Sequence, residues 1–435
     1  MPLQYLSFQR SPPRSVSVGS TISVAPLITN DLRDQVYAPY EHDENPVVLK
    51  LAWLLEGSKG RSFLQLCKQL DDITWTGPES AWKNVTITVP AVRESGARLR
   101  LAMWVEIHEE RPRVKRTKTS RSDDALLSAL TIDVEQAQKQ IIGDETVFLP
   151  VLTPPIDNQS NDSSSSSPKL SALARFWKTN DHGDGHIEIH EESGFELDKH
   201  VWDASIPMMV LLQGAAEDGF NGLILSSPAV TEDGRDQPLV ILELGAGTGL
   251  LSIHLSKTLP KRSSKTCTTA TNLFASDLPS ALGLIERNME LNGLPQSAKS
   301  RPSVIELDWF QKALPPSLQE ALQPQREGTR PPDLLVLASD CSYNPDTYTA
   351  FAALLSQLLE HVSDQGSRAA AILSKKHRHE DERRLWVALE GAGLDAEVLQ
   401  GQGFGCGGPS QDGEQHDSTG AALGQCGIYR ISAKK

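Results

Sequence analysis

Residues 238–244 read Pro-Leu-Val-Ile-Leu-Glu-Leu and run without a break into Gly245-Ala246-Gly247-Thr248-Gly249. A short, almost continuously apolar run is a strand buried on both faces, as in a parallel sheet. Leu250 to Thr258 then continues as a helix. Strand, glycine turn and helix in that order commit this part of the chain to an α/β fold, with a ligand crevice at the carboxyl end of the strand. The turn is not the dinucleotide fingerprint GxGxxG, whose third glycine would fall on Leu250 and here comes one place early. It is not a phosphate-binding P-loop either, because no Gly-Lys-Ser/Thr follows.

The pattern repeats downstream. Asn272–Asp277 reads as a second strand, and the segment from Pro279 to Gly293 as a helix with proline at its start and glycine at its end. Further strands are expected at 334–339 and 369–374, with helices at about 346–361 and 380–390. Residues 396–401 and 426–432 can close the sheet as an antiparallel pair. The alternation predicts a doubly wound, mostly parallel α/β sheet preceded by an N-terminal accessory region. Residues 1–152 form that region, 153–169 a Ser/Pro-rich linker too polar to offset its ordering entropy, and 170–435 the α/β domain. The Gly-rich stretch 401–424 reads as a loop.

Upstream of the glycine turn, HIEIHEE alternates, with Ile187 and Ile189 on one side and His186, Glu188 and His190 on the other. That is a half-buried strand. Its parity, with Gly183 and Gly185, opposes the helix that would gather His182, His186 and His190 as metal ligands, so no metal site is expected. VWDASIPMMVLLQG reads as a helix stopped by Gly214.

Three strand ends face the same crevice. Asp277 lies 32 residues past Gly245 and can accept hydrogen bonds from both hydroxyls of a ribose; a polar insert at 257–272 accounts for a spacing longer than the usual ~20. Glu306-Leu307-Asp308-Trp309 offers a carboxylate and a ring to an adenine. Ser339-Asp340-Cys341-Ser342-Tyr343 places an aspartate and a tyrosine three apart beside the glycine turn.

Taken together, ELGAGTG, Asp277, LDW and DCSY resemble the class I, seven-strand S-adenosylmethionine-dependent methyltransferases. Within them the chain resembles the DxxY branch known as family 16, the methyltransferase-like protein-lysine methyltransferases. VWDA at 201–204, ASDLPSALGLIERNMELN and LSKKHRHEDERRLW add to the match, which covers about residues 185–400. The resemblance implies a Rossmann-like sheet of seven strands. It implies S-adenosyl-L-methionine held by Trp202, Glu243, Gly245, Ala246, Gly247, Asp277, Asp308, Trp309 and Ser339, the last commonly alanine. It implies that Asp340 and Tyr343 are the catalytic pair. Branches that methylate planar nitrogens usually carry Asn/Asp-Pro-Pro-Tyr, and Cys341-Ser342 departs from that. On this reading Asp340 captures and aims the substrate lysine, and Tyr343 walls its channel. The amine must be neutral to attack, which costs about 4.6 kcal/mol at pH 7 from a reference pKa near 10.4.

Two other readings stand beside it: a small-molecule, nicotinamide-like N-methyltransferase, and a non-catalytic interaction protein on a methyltransferase scaffold. A net charge of -14 disfavours nucleic acid as a partner. No apolar run reaches the roughly 18 residues a membrane span needs, and no secretory leader is expected. Five cysteines without paired spacing fit a reducing compartment. The expected form is a monomer acting on a protein substrate in the cytoplasm. The basic cluster Arg111–Arg121 reads as a solvated loop or as a nuclear address, which makes the nucleus a second compartment.

Overall fold

The computed structural model describes residues 3–39, 47–56, 64–92, 98–106, 121–142, 146–159, 169–178, 186–192, 196–216, 219–224, 238–259, 271–298, 301–324, 330–400 and 426–434. His182, most of the basic cluster and the Gly-rich stretch 401–424 lie outside them.

The C-terminal half builds one sheet. Its strands are β1 (Leu239–Leu244), β2 (Thr271–Asp277), β3 (Ser303–Glu306), β4 (Asp333–Ser339), β5 (Ala369–Lys376), β6 (Leu394–Gln400) and β7 (Cys426–Ala433), in the order β3-β2-β1-β4-β5-β7-β6. The first five in chain order are parallel, and β7 runs antiparallel to both β5 and β6. The side chains of β1 alternate between two cores. Ile241 joins α1 (Ser205–Ala215), α2 (Leu250–Thr258) and α3 (Pro279–Leu291) on one face; Val240 and Leu242 join α4 (Tyr348–Ser363) and α5 (Arg384–Gly391) on the other. That two-sided burial is why the strand reads as apolar without alternation.

The N-terminal residues described form two larger sheets and one two-stranded sheet. One of the larger sheets carries the strands 147–149, 3–10, 21–29 and 85–88; the other carries 186–192, 172–178, 151–152, 98–105, 47–56 and 64–69 in that order. Leu6, Phe8 and Ile28 of the first share a core with Leu51, Trp53 and Leu101 of the second. The boundary expected at residue 170 falls inside this arrangement. Ala174 of 172–178 pairs with Leu152, and 172–178 pairs along its length with 186–192. Within the expected linker, Asp157–Gln159 pairs with Ser15–Ser17. Composition pointed to a break because the intervening run is polar, and polarity carries no record of which strands pair across it.

The two halves meet through a continuous core that includes Leu3, Tyr5, Trp177, Ile187 and Ile189 from the N-terminal sheets with Ile206, Leu250 and Ile285. Strand 186–192 has a free edge, and α3 satisfies it with two asparagines one turn apart. Asn288 Oδ1 accepts from the His190 N–H (3.0 Å) while its Nδ2 donates to the His190 carbonyl (3.0 Å). Asn292 does the same at Glu188, at 3.0 and 2.7 Å. Two side-chain amides thus stand in for a neighbouring strand and cover the edge. Among the described residues no helix is long and apolar enough to cross a membrane.

Candidate active site

The carboxyl ends of β1, β2 and β4 open into a cleft of about 260 Å³. Every site residue expected from the sequence lines it: Trp202, Glu243, Gly245, Ala246, Gly247, Asp277, Asp308, Trp309, Ser339, Asp340 and Tyr343.

The glycine turn is shaped by backbone that side chains resist. Gly245, Gly247 and Gly249 have φ of 63°, 55° and 78°. A Cβ on Gly245 would sit 2.5 Å from Cys341 Cβ, so the first glycine is fixed by the close passage of the β4 loop as well as by φ. Asp277 pins the turn from the side: its carboxylate accepts from the N–H groups of Gly247 and Leu278, both at 2.7 Å. Burial raises its pKa, and these two bonds oppose the rise. Glu243 is buried beneath the turn, accepting from the backbone and hydroxyl of Ser252 in the first turn of α2. Burial pushes its carboxyl up to about 7.

On the far wall the half-buried Trp309 packs on Phe351 with ring centroids 4.9 Å apart, and Asp308 accepts from the Phe310 N–H at 3.0 Å. The Ser339 hydroxyl, shielded from solvent, has no partner among the described residues. Burial, then the nearby carboxylates of Asp277 and Asp340, push the Cys341 thiol well up, so it stays protonated. Tyr343 stands at the mouth, 46% exposed, beside exposed Phe310 and Leu278.

Asp340 differs from its sequence-based role. Its side chain is buried, and both carboxylate oxygens are committed. Oδ1 accepts from the Lys376 N–H (3.0 Å) and Arg378 Nη1 (2.9 Å); Oδ2 accepts from Arg378 Nη2 (2.8 Å) and, at 3.4 Å, the Ala204 N–H. Burial alone would raise its pKa, and the Arg378 guanidinium outweighs this, holding the carboxyl below the usual range. Its own N–H donates to the Ser374 carbonyl (2.8 Å), and its φ is +51°. A non-glycine residue keeps such a backbone only where its surroundings over-determine it. Asp340 therefore presents no free carboxylate for capturing an incoming amine. It braces the loop that carries Cys341 to Tyr343.

Arg378, Lys376, Asp203, Asp31 and Tyr5 were not assigned roles from the sequence. Arg378 lies 5.5 Å from the Trp202 ring centroid, within cation–π range. The available signal was three basic residues crowded at the end of β5 (Lys375, Lys376, Arg378), where an apolar strand reaches the crevice.

A glycine turn after β1, carboxylates after β2 and β3 and the β3-β2-β1-β4-β5-β7-β6 order define a Rossmann-like methyltransferase that draws its methyl group from S-adenosylmethionine. Residues 182–391 match the family model described as lysine methyltransferase. Among solved structures, the human methyltransferase 10 domain containing protein aligns with 13% identity over 52% of this chain and 82% of its own, at a TM-score of 0.27. A methyltransferase from Pyrococcus furiosus aligns with 13% identity over 53% of this chain and 100% of its own, at 0.26. PKMT2 from Rickettsia typhi, in complex with AdoHcy, aligns with 11% identity over 32% of this chain and 21% of its own, at 0.20. No curated protein matches the chain.

Proposed function

We propose that the chain methylates a lysine side chain of a protein substrate. The carrying observation is the character of the cleft mouth. Its described lining holds Asp198, Asp277 and Asp308 and neither lysine nor arginine, and Leu278, Phe310 and Tyr343 rim it at 49%, 66% and 46% exposure. An acidic cleft attracts a cationic side chain, and an open apolar rim suits an acceptor carried on a polypeptide. A small free amine would gain most of its affinity from enclosure.

S-adenosylmethionine supplies an electrophilic methyl group on a sulfonium. The site fits it through the open left-handed turn, the Asp277 carboxylate and the unpartnered Ser339 hydroxyl. On this reading Gly245 to Gly247 pass the donor close to the backbone, and Asp277 holds its ribose. Asp308 and Trp309 take the adenine, and Trp202 and Ser339 flank the rest. Glu243 shapes the turn from below. Tyr343 guides the lysine stem, and Asp340 fixes the loop that aims Tyr343. Alignment of donor and acceptor can supply about 7–11 kcal/mol of the barrier. That exceeds the roughly 4.6 kcal/mol needed to neutralise the amine.

The test incubates the purified chain with methyl-labelled cofactor and a lysate from cells lacking the protein, then separates protein from small molecules. Label in a protein band supports the proposal; label confined to small molecules replaces it with the small-amine reading.

A further inference from the structure

We infer that Asp31, from the N-terminal region, is a positioning residue of the methyl-transfer site. Asp31 is buried and accepts from Arg378 Nη2 (2.6 Å) and Nε (3.2 Å), a residue 347 positions away in sequence. The same guanidinium holds Asp340 on its other side, at 2.9 and 2.8 Å. Asp31 also pairs with Lys376 Nζ at 3.1 Å, and that ammonium pairs with Asp203 at 2.6 Å. Tyr5, on the first N-terminal strand, donates to the other Asp203 oxygen at 2.7 Å. Two cations are thus clamped between three carboxylates, and the clamp is closed from the N-terminal side.

Geometry makes Asp31 more than docking glue. Arg378 holds the carboxylate of Asp340, a residue whose φ is +51°, and lies over Trp202 in the cleft wall. A guanidinium shared by two carboxylates has a fixed plane; with one partner gone it can turn. Its motion reaches Asp340, the loop to Tyr343 and Trp202 together. Docking of the N-terminal region, by contrast, has independent supports, including the Asn288 and Asn292 bridges and the shared apolar core. The inference concerns methyl transfer and does not depend on which acceptor is used.

The experiment compares full-length Asp31→Asn, Asp31→Glu and Asn292→Ala. Amide hydrogen exchange at Asp340 and Lys376, which needs no acceptor, is read alongside cofactor affinity, thermal midpoint and the rate of label transfer. Asp31→Asn should speed exchange at both amides and slow transfer by about 100-fold, the cost of a misplacement near 1 Å. Its cofactor affinity should stay within about threefold and its midpoint no lower than that of Asn292→Ala. Asp31→Glu should recover part of the rate, and Asn292→Ala should exchange and transfer as the parent does. Unchanged exchange at Asp340 and Lys376 in Asp31→Asn overturns the inference. So does an equal loss of transfer in Asn292→Ala, which would reduce Asp31 to one docking contact among several. Failure to find any acceptor would strike the lysine proposal and leave the exchange result standing.

Discussion

Replacing Asp340 with alanine separates two roles for the DxxY aspartate. If the carboxylate only captured the acceptor, its loss would stop transfer and leave the folded protein and its cofactor affinity intact. The structure predicts otherwise. Arg378 would keep one carboxylate, Asp31, and lose the bidentate one. Breaking a buried pair from one side costs about 3–5 kcal/mol, and the remaining Asp31 contact places this case near 3. The Lys376 N–H also loses its acceptor, a group worth about 1–3 kcal/mol when buried and unpaired. These costs overlap, so about 3–5 kcal/mol is expected in all, or a melting midpoint lower by about 3–6 °C for a chain of this length. Differential scanning calorimetry with saturating S-adenosylhomocysteine, titration calorimetry for its affinity, and label transfer form the assay. The expected result is a lower midpoint, several-fold weaker cofactor binding and transfer reduced by at least about 100-fold. Adding Arg378→Met should restore most of the midpoint, because the stranded cation is gone, and none of the transfer. A parent-like midpoint and affinity with abolished transfer would refute this reasoning and return the carboxylate to direct capture.

Other perturbations probe other parts of the site. Gly245→Ala should lose cofactor binding and about 2–4 kcal/mol of stability, from its φ of 63° and the 2.5 Å approach to Cys341. Cys341→Gly in the same chain should return part of both in a thermal-shift titration. Asp277→Asn should weaken cofactor affinity about 10- to 100-fold by calorimetry, with little change in fold stability; unchanged affinity would remove it from the ribose role. His254, buried in α2 with neither ring nitrogen partnered among the described residues, has its pKa lowered by burial to about 4. The neutral ring is the folded form, so its contribution is complete above the unfolded pKa near 6.5 and is lost as pH falls toward 4. That loss is about 1.4 kcal/mol at pH 5.5, and His254→Leu should abolish it in denaturant titrations at pH 5.5 and 7.5.

The α/β half was legible because its signals are local. Continuous apolar strands, a proline-started helix at 279 and a glycine turn each fix backbone within a few residues, and the strands of the sheet appear where they were expected. The cleft lining was legible for the same reason: Gly245, Asp277, Trp309 and Asp340 sit at strand ends, and strand ends of a parallel sheet converge. What stayed hidden is non-local. Strand 172–178 pairs with 151–152 across a polar run that composition marks as a break. Asp31 meets Arg378, and Tyr5 meets Asp203, through tertiary packing that no spacing rule encodes. The role of Asp340 shifted for the same reason: the sequence shows a carboxylate, and only the fold shows the guanidinium already holding it.

The most direct test of the central proposal is the chemical identity of the methylated residue. A labelled protein band, hydrolysed to free amino acids and resolved by chromatography, should place its label in Nε-methylated lysine, and the Asp340→Ala chain should yield at least about 100-fold less. Label in methylarginine, methylhistidine or a methyl ester would contradict a lysine acceptor at this cleft.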